Sequence, residues 1–197
     1  MIPGTEGYCE QADSLTIRYE AVTFDDVHRD MLPLIPTTPA HVLDIGAGTG
    51  RDAAALASRG HHVVAAEPVA ALRRQGQRLH AADRINWIDS WLPDLTGVRH
   101  LGIQFDLIFL TAVWMHLDEQ ERRDGMRTVA ELVAQRGRVF ISLRHGPAPS
   151  DRRMFDVPAD EVIDMASDQG LHAIHRVTNE DQLGRFAVHW SYVVLQA

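Results

Sequence analysis

Two glycines and an acidic residue lie close together early in the chain, in an arrangement typical of a turn that holds a ligand. The segment VLDIGAGTGR (42–51) places an apolar run, a glycine-rich turn and the start of a helical pattern in succession. Gly46 and Gly48 let the backbone turn tightly and come close to a ligand. Asp44 stands at the end of the apolar run, and in open α/β sheets ligands bind at that edge. Its carboxylate would attract an ammonium group and repel a pyrophosphate.

A second acidic residue, Glu67, follows the next apolar run, 21 residues after Gly46. An acidic side chain at this kind of spacing can accept hydrogen bonds from both hydroxyls of a ribose. Taken alone, Glu67 could equally be a surface residue at the end of a strand. A dinucleotide-binding turn has glycine at the third position of its motif, where this chain has Arg51. The pattern therefore predicts a nucleoside ligand and counts against a nucleotide-dependent oxidoreductase.

Three further side chains follow apolar runs that end at the same edge of the predicted sheet. His116 is a candidate base, because histidine titrates near neutral pH; packing within VWMHL is the open alternative. Arg144 is a candidate for bidentate binding of a carboxylate or phosphate, and a salt bridge or a solvated position is the alternative. His145 is the third candidate. The loop 144–157 contains three arginines and is expected to shape the pocket of a reacting molecule.

The composition of the chain argues against several classes of protein. The 197 residues carry a formal net charge of −8, which disfavours a dedicated nucleic-acid binder. All 19 basic residues are arginine, so mechanisms that need a lysine are excluded. The single Cys9 excludes an internal disulfide framework and is typical of a reducing, cytoplasmic environment. The first residues, MIPGTEGYCEQADS, do not resemble a secretory signal, and no run is long enough for a membrane span.

The elements that must position these residues alternate along the chain. Apolar, β-branched runs predict strands at 41–45, 62–66, 85–88, 105–110 and 138–143, with helical patterns between them. Two more strands, 171–178 and 185–195, have only about six residues between them, too few for a helical crossover, so we expect them to pair antiparallel. The sequence thus predicts an α/β fold with a mostly parallel sheet and a C-terminal antiparallel β-hairpin.

Local signals predict the ends of the helices. Three pairs of residues are typical of helix starts: Thr23 with Asp26, Thr49 with Asp52, and Asp118 with Glu121. The first of these helices is expected to run to Leu32 and to be ended by Pro33, Pro36 and Pro39. Gly137 is expected to cap the helix before the fifth strand. Residues 1–19 are polar, and we expect them to be irregular.

Five segments of the chain together resemble the class I S-adenosylmethionine-dependent methyltransferase family. They are DIGAGTG, AAEP, IDSWLPDL, FDLIFLTAVWMHL and GRVFISL. The similarity covers roughly residues 42–145, and the hairpin extends it. It implies one doubly wound, Rossmann-like domain over 1–197 with a seven-stranded sheet. Within it, 1–38 would cover the cofactor, 41–145 would form the cofactor-binding core, and 146–197 would supply the substrate loop, a helix and the closing hairpin.

The resemblance also implies roles for matching positions. Residues expected to line the methionine and ribose are Asp44, Gly46, Ala47 and Gly48. Glu67 would bind the ribose hydroxyls, and Pro68 would pack beside it. Asp89 and the backbone of Ser90 would meet the adenine, although Asp89 could instead only form a turn. Thr111 and Ala112 would border the sulfonium. Tyr19 would close over the cofactor, and a purely packing tyrosine is an equal alternative.

The expected function is methyl transfer from S-adenosyl-L-methionine to an oxygen, nitrogen or sulfur atom of a small molecule, with S-adenosyl-L-homocysteine as product. The segment TAVW (111–114) lacks the pattern of nucleic-acid amino methyltransferases, and no glutamate pair of the arginine-methylating type is present. No metal is expected. The alternatives are a non-catalytic S-adenosylmethionine-binding regulatory protein and methylation of RNA or protein. The expected assembly is a monomer or homodimer. The run GTGRDAAALA is also similar to tellurite-resistance-type methyltransferases, from which no substrate is inferred.

Overall fold

The computed structural model describes residues 2–197 and contains one seven-stranded mixed sheet. The strands are β1 (His41–Ile45), β2 (His62–Ala66), β3 (Ile85–Ile88), β4 (Phe105–Leu110), β5 (Val133–His145), β6 (His172–Glu180) and β7 (His189–Gln196). Their order across the sheet is β3-β2-β1-β4-β5-β7-β6. Strands β1 to β5 pair in parallel, and β7 lies antiparallel between β5 and β6. The predicted α/β fold with its C-terminal antiparallel hairpin is confirmed.

Helices pack on both faces of this sheet. They are α1 (Ala12–Glu20), α2 (Phe24–Val27), α3 (Arg51–Ser58), α4 (Ala70–Leu79), α5 (Thr96–Arg99), α6 (Glu119–Leu132) and α7 (Ala159–Ser167), with 3-10 turns at Arg29–Leu34 and Trp114–His116. Successive strand residues enter different apolar clusters. Val42 packs with Phe109 on the face of α3, whereas Leu43 packs with Ile108 on the face of α6. Both faces are therefore buried, which explains the almost continuous apolar runs of the inner strands.

The N-terminal segment departs from the sequence-based expectation. Residues 1–19 were expected to be irregular, and this is wrong for α1, which begins at Ala12. Only Ala12 and Leu15 of this helix are buried, and they pack against Leu72 of α4. Two buried positions give almost no helical periodicity, so the apolar pattern could not reveal the helix.

The helix expected to run to Leu32 is interrupted after one turn. Thr23 caps α2 as predicted, accepting a hydrogen bond from the Asp26 backbone N–H. His28 then leaves helical geometry, at φ −105° and ψ 16°, and a 3-10 turn that contains Pro33 follows. The buried His28 ring hydrogen-bonds Asp52 at 2.8 Å, a contact that fixes its position. The break in the helix thus places His28 beside Asp52, a contact that the helical pattern of the sequence could not predict.

Strand β5 is longer than predicted, and Gly137 does not cap the preceding helix. Helix α6 begins with the predicted capping box of Asp118 and Glu121, and the chain enters β5 directly at Val133. The pairing with β4 changes register between Phe105 and Leu107. Gly137 lies in this irregular part, where a Cβ would be 2.7 Å from the Ala134 carbonyl oxygen. Glycine is therefore needed for the close approach of the backbone and not for a helix cap.

No helix within residues 2–197 has both the length and the apolar composition that crossing a membrane requires.

Candidate active site

A cavity of about 420 Å³ opens at the carboxyl ends of β1, β2, β4 and β5. Most of the residues predicted for the site line it: Tyr19, Asp44, Gly46, Ala47, Gly48, Glu67, Pro68, Thr111, Ala112, His116 and Arg144. Asp89, Ser90 and His145 are not among its lining residues. The volume is within the range of about 300–1,000 Å³ that is usual for small-molecule sites.

The glycine-rich turn needs glycine at two positions. Gly46 and Gly48 have φ values of 67° and 58°, in the left-handed region that other residues rarely adopt. A Cβ on Gly46 would also lie 2.5 Å from Val113 Cγ2. The backbone N–H groups of Gly46 and Ala47 donate to the Ala66 carbonyl at 2.8 and 3.1 Å, which ties the turn to the end of β2.

Glu67 connects the end of β2 to this turn. Its carboxylate is buried and accepts the Gly48 N–H on Oε2 at 2.8 Å and the Val69 N–H on Oε1 at 2.7 Å. Burial raises the pKa of Glu67 to about 7, although both N–H donors act in the opposite direction. Each oxygen keeps a second lone pair, so the carboxylate can still accept from a ligand.

Asp44 has one buried carboxylate oxygen, Oδ2, that lacks a donor among the described residues. It is only 2% exposed, and its Oδ2 has no hydrogen-bond partner within residues 2–197. Burial raises its pKa well above the ordinary aspartate value, and the charge of Asp52 adds to this effect. Because a buried, unpaired carboxylate is costly, the site favours a cationic hydrogen-bond donor at Oδ2.

Asp52 is a central residue of the site that the sequence-based analysis did not assign. Its carboxylate accepts hydrogen bonds from His28 Nε2 at 2.8 Å, Arg51 Nε at 2.7 Å and Thr111 Oγ1 at 2.7 Å. Burial alone would raise the pKa of Asp52, but Arg51 and His28 lower it overall. The ionised carboxylate therefore joins β4 to α3 and the turn after α2, and it engages the hydroxyl of Thr111.

The capping box predicted from Thr49 and Asp52 is wrong. Helix α3 has Gly50 at its N-cap, with φ 84°, and no side chain caps it. The Thr49 hydroxyl donates instead to Glu20 Oε1 at 2.6 Å. Asp52 is unavailable as a cap partner because its oxygens accept from Arg51 and other side chains. Tertiary contacts have replaced the local motif.

His116 follows β4 and lines the cavity, with its ring orientation set by two partners. Its Nδ1 is 2.8 Å from the backbone carbonyl oxygen of Arg153, which can only accept. Nδ1 therefore carries the proton, and Nε2 accepts from the Tyr8 hydroxyl at 2.9 Å. Burial lowers the pKa of His116, so Nε2 is unprotonated at neutral pH. Tyr8 was missed by the sequence-based analysis because nothing local marks it.

Residues before and within α1 cover the cavity, both beside His116 and beside the glycine-rich turn. Arg152 stacks on the Tyr8 ring, 4.2 Å from its centroid, and donates to Gln11 Oε1 at 2.9 Å. Gln11 in turn donates to Asp151 at 2.6 Å. Tyr19, from the end of α1, lies against the glycine-rich turn, with ring atoms 3.7 Å from where a Gly48 Cβ would be. Residues far apart in sequence thus close the cavity together.

Strand alternation separates the two candidates that follow β5. Arg144 pairs with Trp190 across the antiparallel ladder and lines the cavity with it. His145, one residue on, faces the other side of the sheet. Its ring bonds Asp156 at 2.8 Å and Ser191 Oγ at 2.9 Å and stacks on His189. The structure therefore brings Arg144 to the cavity and directs His145 away from it.

Asp89 and Ser90 lie beside the cavity and not along it. The Asp89 carboxylate, 57% exposed, pairs with Arg73 at 2.9 Å. Ser90 is buried, and its hydroxyl has no partner among the described residues. Trp91 and Leu92, the next two residues, line the cavity in their place. Within residues 2–197 no three His, Cys, Asp or Glu side chains are grouped to hold a metal ion.

The architecture defines a class: α/β proteins with a ligand cavity at the carboxyl edge of a sheet that ends in an antiparallel hairpin. A sequence model described as a methyltransferase domain matches residues 42–137. A demethylmenaquinone methyltransferase of Clavibacter sepedonicus is 29% identical over 155 residues, which are 74% of this chain and 61% of the relative. The chain therefore spans less than two thirds of that relative's length.

Solved structures share the whole architecture. A TehB-like S-adenosylmethionine-dependent methyltransferase from Corynebacterium glutamicum superposes with a TM-score of 0.70 at 18% identity, over 94% of this chain and 97% of that one. The 1,6-didemethyltoxoflavin-N1-methyltransferase of Burkholderia thailandensis, solved with its substrate and S-adenosylhomocysteine, gives 0.64 at 17% identity, over 100% and 90% of the two chains. At these identities the solved structures show a shared fold, and the methyltransferase-domain match over residues 42–137 adds a similarity in sequence.

Proposed function

We propose that this protein transfers the methyl group of S-adenosyl-L-methionine to an oxygen, nitrogen or sulfur atom of a small molecule and releases S-adenosyl-L-homocysteine. The observation that carries the proposal is Asp44: a buried carboxylate at the cavity, with Oδ2 free of any donor in residues 2–197. The ammonium group of the cofactor's methionine part is a donor of the required charge. S-adenosylhomocysteine is bound in the similar toxoflavin-type enzyme.

Residues near Asp44 would make the other contacts with the cofactor. The free lone pairs of Glu67 suit the two ribose hydroxyls, and the backbone of Gly46, Ala47 and Gly48 permits close approach of the methionine part. Pro68 and Tyr19 line the space around them. Asp89 and Ser90 are assigned to the adenine edge on the family resemblance alone.

The cofactor supplies a methyl group already activated by a sulfonium, so the protein's main task is to hold the acceptor in line with it. Where the acceptor must lose a proton, Tyr8 and His116 provide a route. The acceptor passes its proton to the Tyr8 oxygen as Tyr8 passes its own proton to His116 Nε2, and no other group changes charge. The 2.9 Å contact between Tyr8 Oη and Nε2 supports this step.

Enclosure of the cavity supports a small acceptor. Residues of the N-terminal segment, among them Ile2, Pro3 and Gly4, line the space over the cavity. A polynucleotide or a folded protein would need this segment to be displaced, whereas a small molecule would not.

Calorimetric titration with S-adenosylhomocysteine and S-adenosylmethionine tests the proposal. We expect micromolar binding to the wild-type protein and no binding of a nicotinamide dinucleotide. Release of S-adenosylhomocysteine is then measured over a panel of phenols, amines and thiols. Absence of binding to both cofactor forms would contradict the proposal. Binding without turnover on the panel would instead favour a non-catalytic regulatory protein.

A further inference from the structure

Arg144 is a buried cation at the cavity without a carboxylate partner. It is 7% exposed, and its guanidinium donates to the carbonyl oxygens of Gly146 at 3.2 Å and Pro147 at 2.9 Å, with Met154 Sδ at 3.6 Å. Within residues 2–197 no carboxylate oxygen lies within ion-pair distance of it. All three of these partners are neutral, so the charge of Arg144 is buried and uncompensated, an arrangement that is costly for the free protein.

The three charged groups that act most on Arg144 are already paired with other residues. Arg185 pairs with Asp181 at 2.6 Å, and Asp181 also accepts from Trp190 Nε1 at 2.9 Å. Asp156 binds His145 at 2.8 Å on the other side of the sheet. Burial and the charge of Arg185 lower the pKa of Arg144, while Asp181 and Asp156 act in the opposite direction without contacting it. Arg144 thus differs from Arg185 in lacking an anion, whereas Arg152, which also lines the cavity, has Gln11 and the Tyr8 ring as its partners.

The donors that remain on Arg144 form a fork. A guanidinium has five N–H groups, and the bonds to Gly146, Pro147 and Met154 occupy both hydrogens of Nη1 and one of Nη2. The Nε–H and one N–H of Nη2 are left without an acceptor among the described residues, and Nε and Nη2 lie on the same edge of the planar group. Two parallel N–H groups match the two oxygens of one carboxylate.

Two aromatic side chains lie beside this fork on the same face of the sheet. Antiparallel pairing sets Arg144 opposite Trp190 and Ser142 opposite Tyr192. Directly opposed residues share a face of the sheet, so both aromatic side chains stand next to Arg144 and line the cavity with it. Met154, whose sulfur is polarisable, also lines the cavity here. An aromatic ring fits such a surface.

We infer that Arg144 binds a carboxylate of the methyl acceptor, and that this acceptor is an aromatic acid whose ring lies against Trp190 and Tyr192. The inference rests on the proposed function and names the substrate class for it. The cofactor's own carboxylate is an unsuitable partner, because β5 is two strands from β1 and three from β2. At about 4.8 Å between strands, the backbone of β5 is roughly 10 Å from that of β1 and roughly 14 Å from that of β2 across the sheet.

The test compares an acid with its amide. Naphthoate and naphthamide present the same ring with and without the charge, and each is titrated into the complex of the full-length protein with S-adenosylhomocysteine. We expect naphthoate to bind wild type at least about tenfold more tightly than naphthamide. Arg144→Met should remove this preference, and Arg144→Lys should keep part of it, because lysine retains the charge and loses the fork.

Two controls separate this inference from the proposed function and from misfolding. Arg18→Met removes an exposed arginine that also lines the cavity, and it should keep the acid preference. Binding of S-adenosylhomocysteine reports on the cofactor site and on folding, and we expect Arg144→Met to leave it within about twofold. The inference is overturned if neither probe binds wild type, if both bind equally, if the preference survives Arg144→Met in folded protein, or if that variant loses cofactor affinity. Loss of cofactor binding by wild type would instead overturn the proposed function.

Discussion

The two ends of the cavity differ in charge and in the span of chain that builds them. At the nucleoside end, Asp44 and Glu67 supply buried carboxylates, and the bond from Gly48 to Glu67 joins residues 19 apart. At the acceptor end, which Tyr8, His116 and Arg144 line, the buried cation Arg144 has no carboxylate partner, and the bond between Tyr8 and His116 joins residues 108 apart. The nucleoside end is made within adjacent βα units, whereas the acceptor end depends on the whole chain folding correctly.

Because of this difference, the two ends of the cavity should differ in how freely the ligand that they bind can change. A site formed within neighbouring βα units is set by a short sequence motif and can hold one fixed ligand. A site formed by a terminal segment, a loop and the closing hairpin can change its side chains without disturbing the cofactor. The following variants test whether the two ends behave independently, from the largest expected effect to the smallest.

His116→Ala should have the largest effect. For an acceptor that must lose a proton, we expect kcat to fall by about a hundredfold or more, the usual contribution of a general base. Tyr8→Phe should also lower kcat, because it removes the hydroxyl between acceptor and Nε2. Binding of S-adenosylhomocysteine to both variants should stay unchanged, and an equal loss of cofactor affinity would show that the two ends are coupled.

The pH dependence gives the same prediction an independent readout. Only unprotonated His116 can accept a proton, and burial holds its pKa below the ordinary value of 6.5. For wild type we therefore expect kcat to be constant above neutral pH and to fall at pH values below 6.5. An acid limb centred above pH 6.5, or one that persists in His116→Ala, would assign the proton acceptor to another group.

Glu67→Ala tests the nucleoside end. Each hydrogen bond to a charged group contributes about 1.5–3 kcal/mol, so loss of even one ribose contact should weaken binding of S-adenosylhomocysteine by about 10- to 150-fold in calorimetry. Glu119→Ala, which removes an exposed glutamate at the start of α6, is the matched control and should bind normally. The acceptor end should be unaffected, so turnover at saturating cofactor should fall far less than affinity.

Asp44→Asn is expected to weaken cofactor binding and to stabilise the cofactor-free protein. Cofactor binding should weaken by about tenfold, because the amide cannot attract an ammonium group as a carboxylate does. The folded-state pKa of Asp44 is raised, so its contribution to stability is present at low pH and lost as pH rises through that pKa. The cofactor-free variant should therefore be more stable than wild type at pH 8, by about 2–4 °C in Tm for each ~1 kcal/mol. A lower Tm would show that the Asp44 charge supports the fold.

The sequence was sufficient to predict the central sheet because each inner strand is a short apolar run between turn residues. The turn at Gly46 and the acid at Glu67 could be predicted for the same reason, since their partners lie in the next βα unit. Helix α1 could not, because only Ala12 and Leu15 are buried. The role of Asp52 depends on His28 and Thr111, which come from separate elements.

At the acceptor end, the sequence could not predict which of two adjacent residues faces the cavity. Arg144 and His145 are equivalent in sequence, and which of them faces the cavity depends on the register of β5 against β7. A shift of one residue would exchange them. Tyr8 has no local pattern at all, and only the packing of the N-terminal segment over His116 reveals it.

Asp89→Asn is expected to have the smallest effect, and it tests how far the family resemblance extends. The resemblance implies a contact between Asp89 and the adenine. In this chain the carboxylate is 57% exposed and pairs with Arg73, and exposed ion pairs contribute at most about 1 kcal/mol. We therefore expect binding of S-adenosylhomocysteine to weaken by less than about threefold. A tenfold loss in calorimetry would instead mean that Arg73 releases Asp89 when the nucleoside binds, and that the nucleoside end is completed only by its ligand.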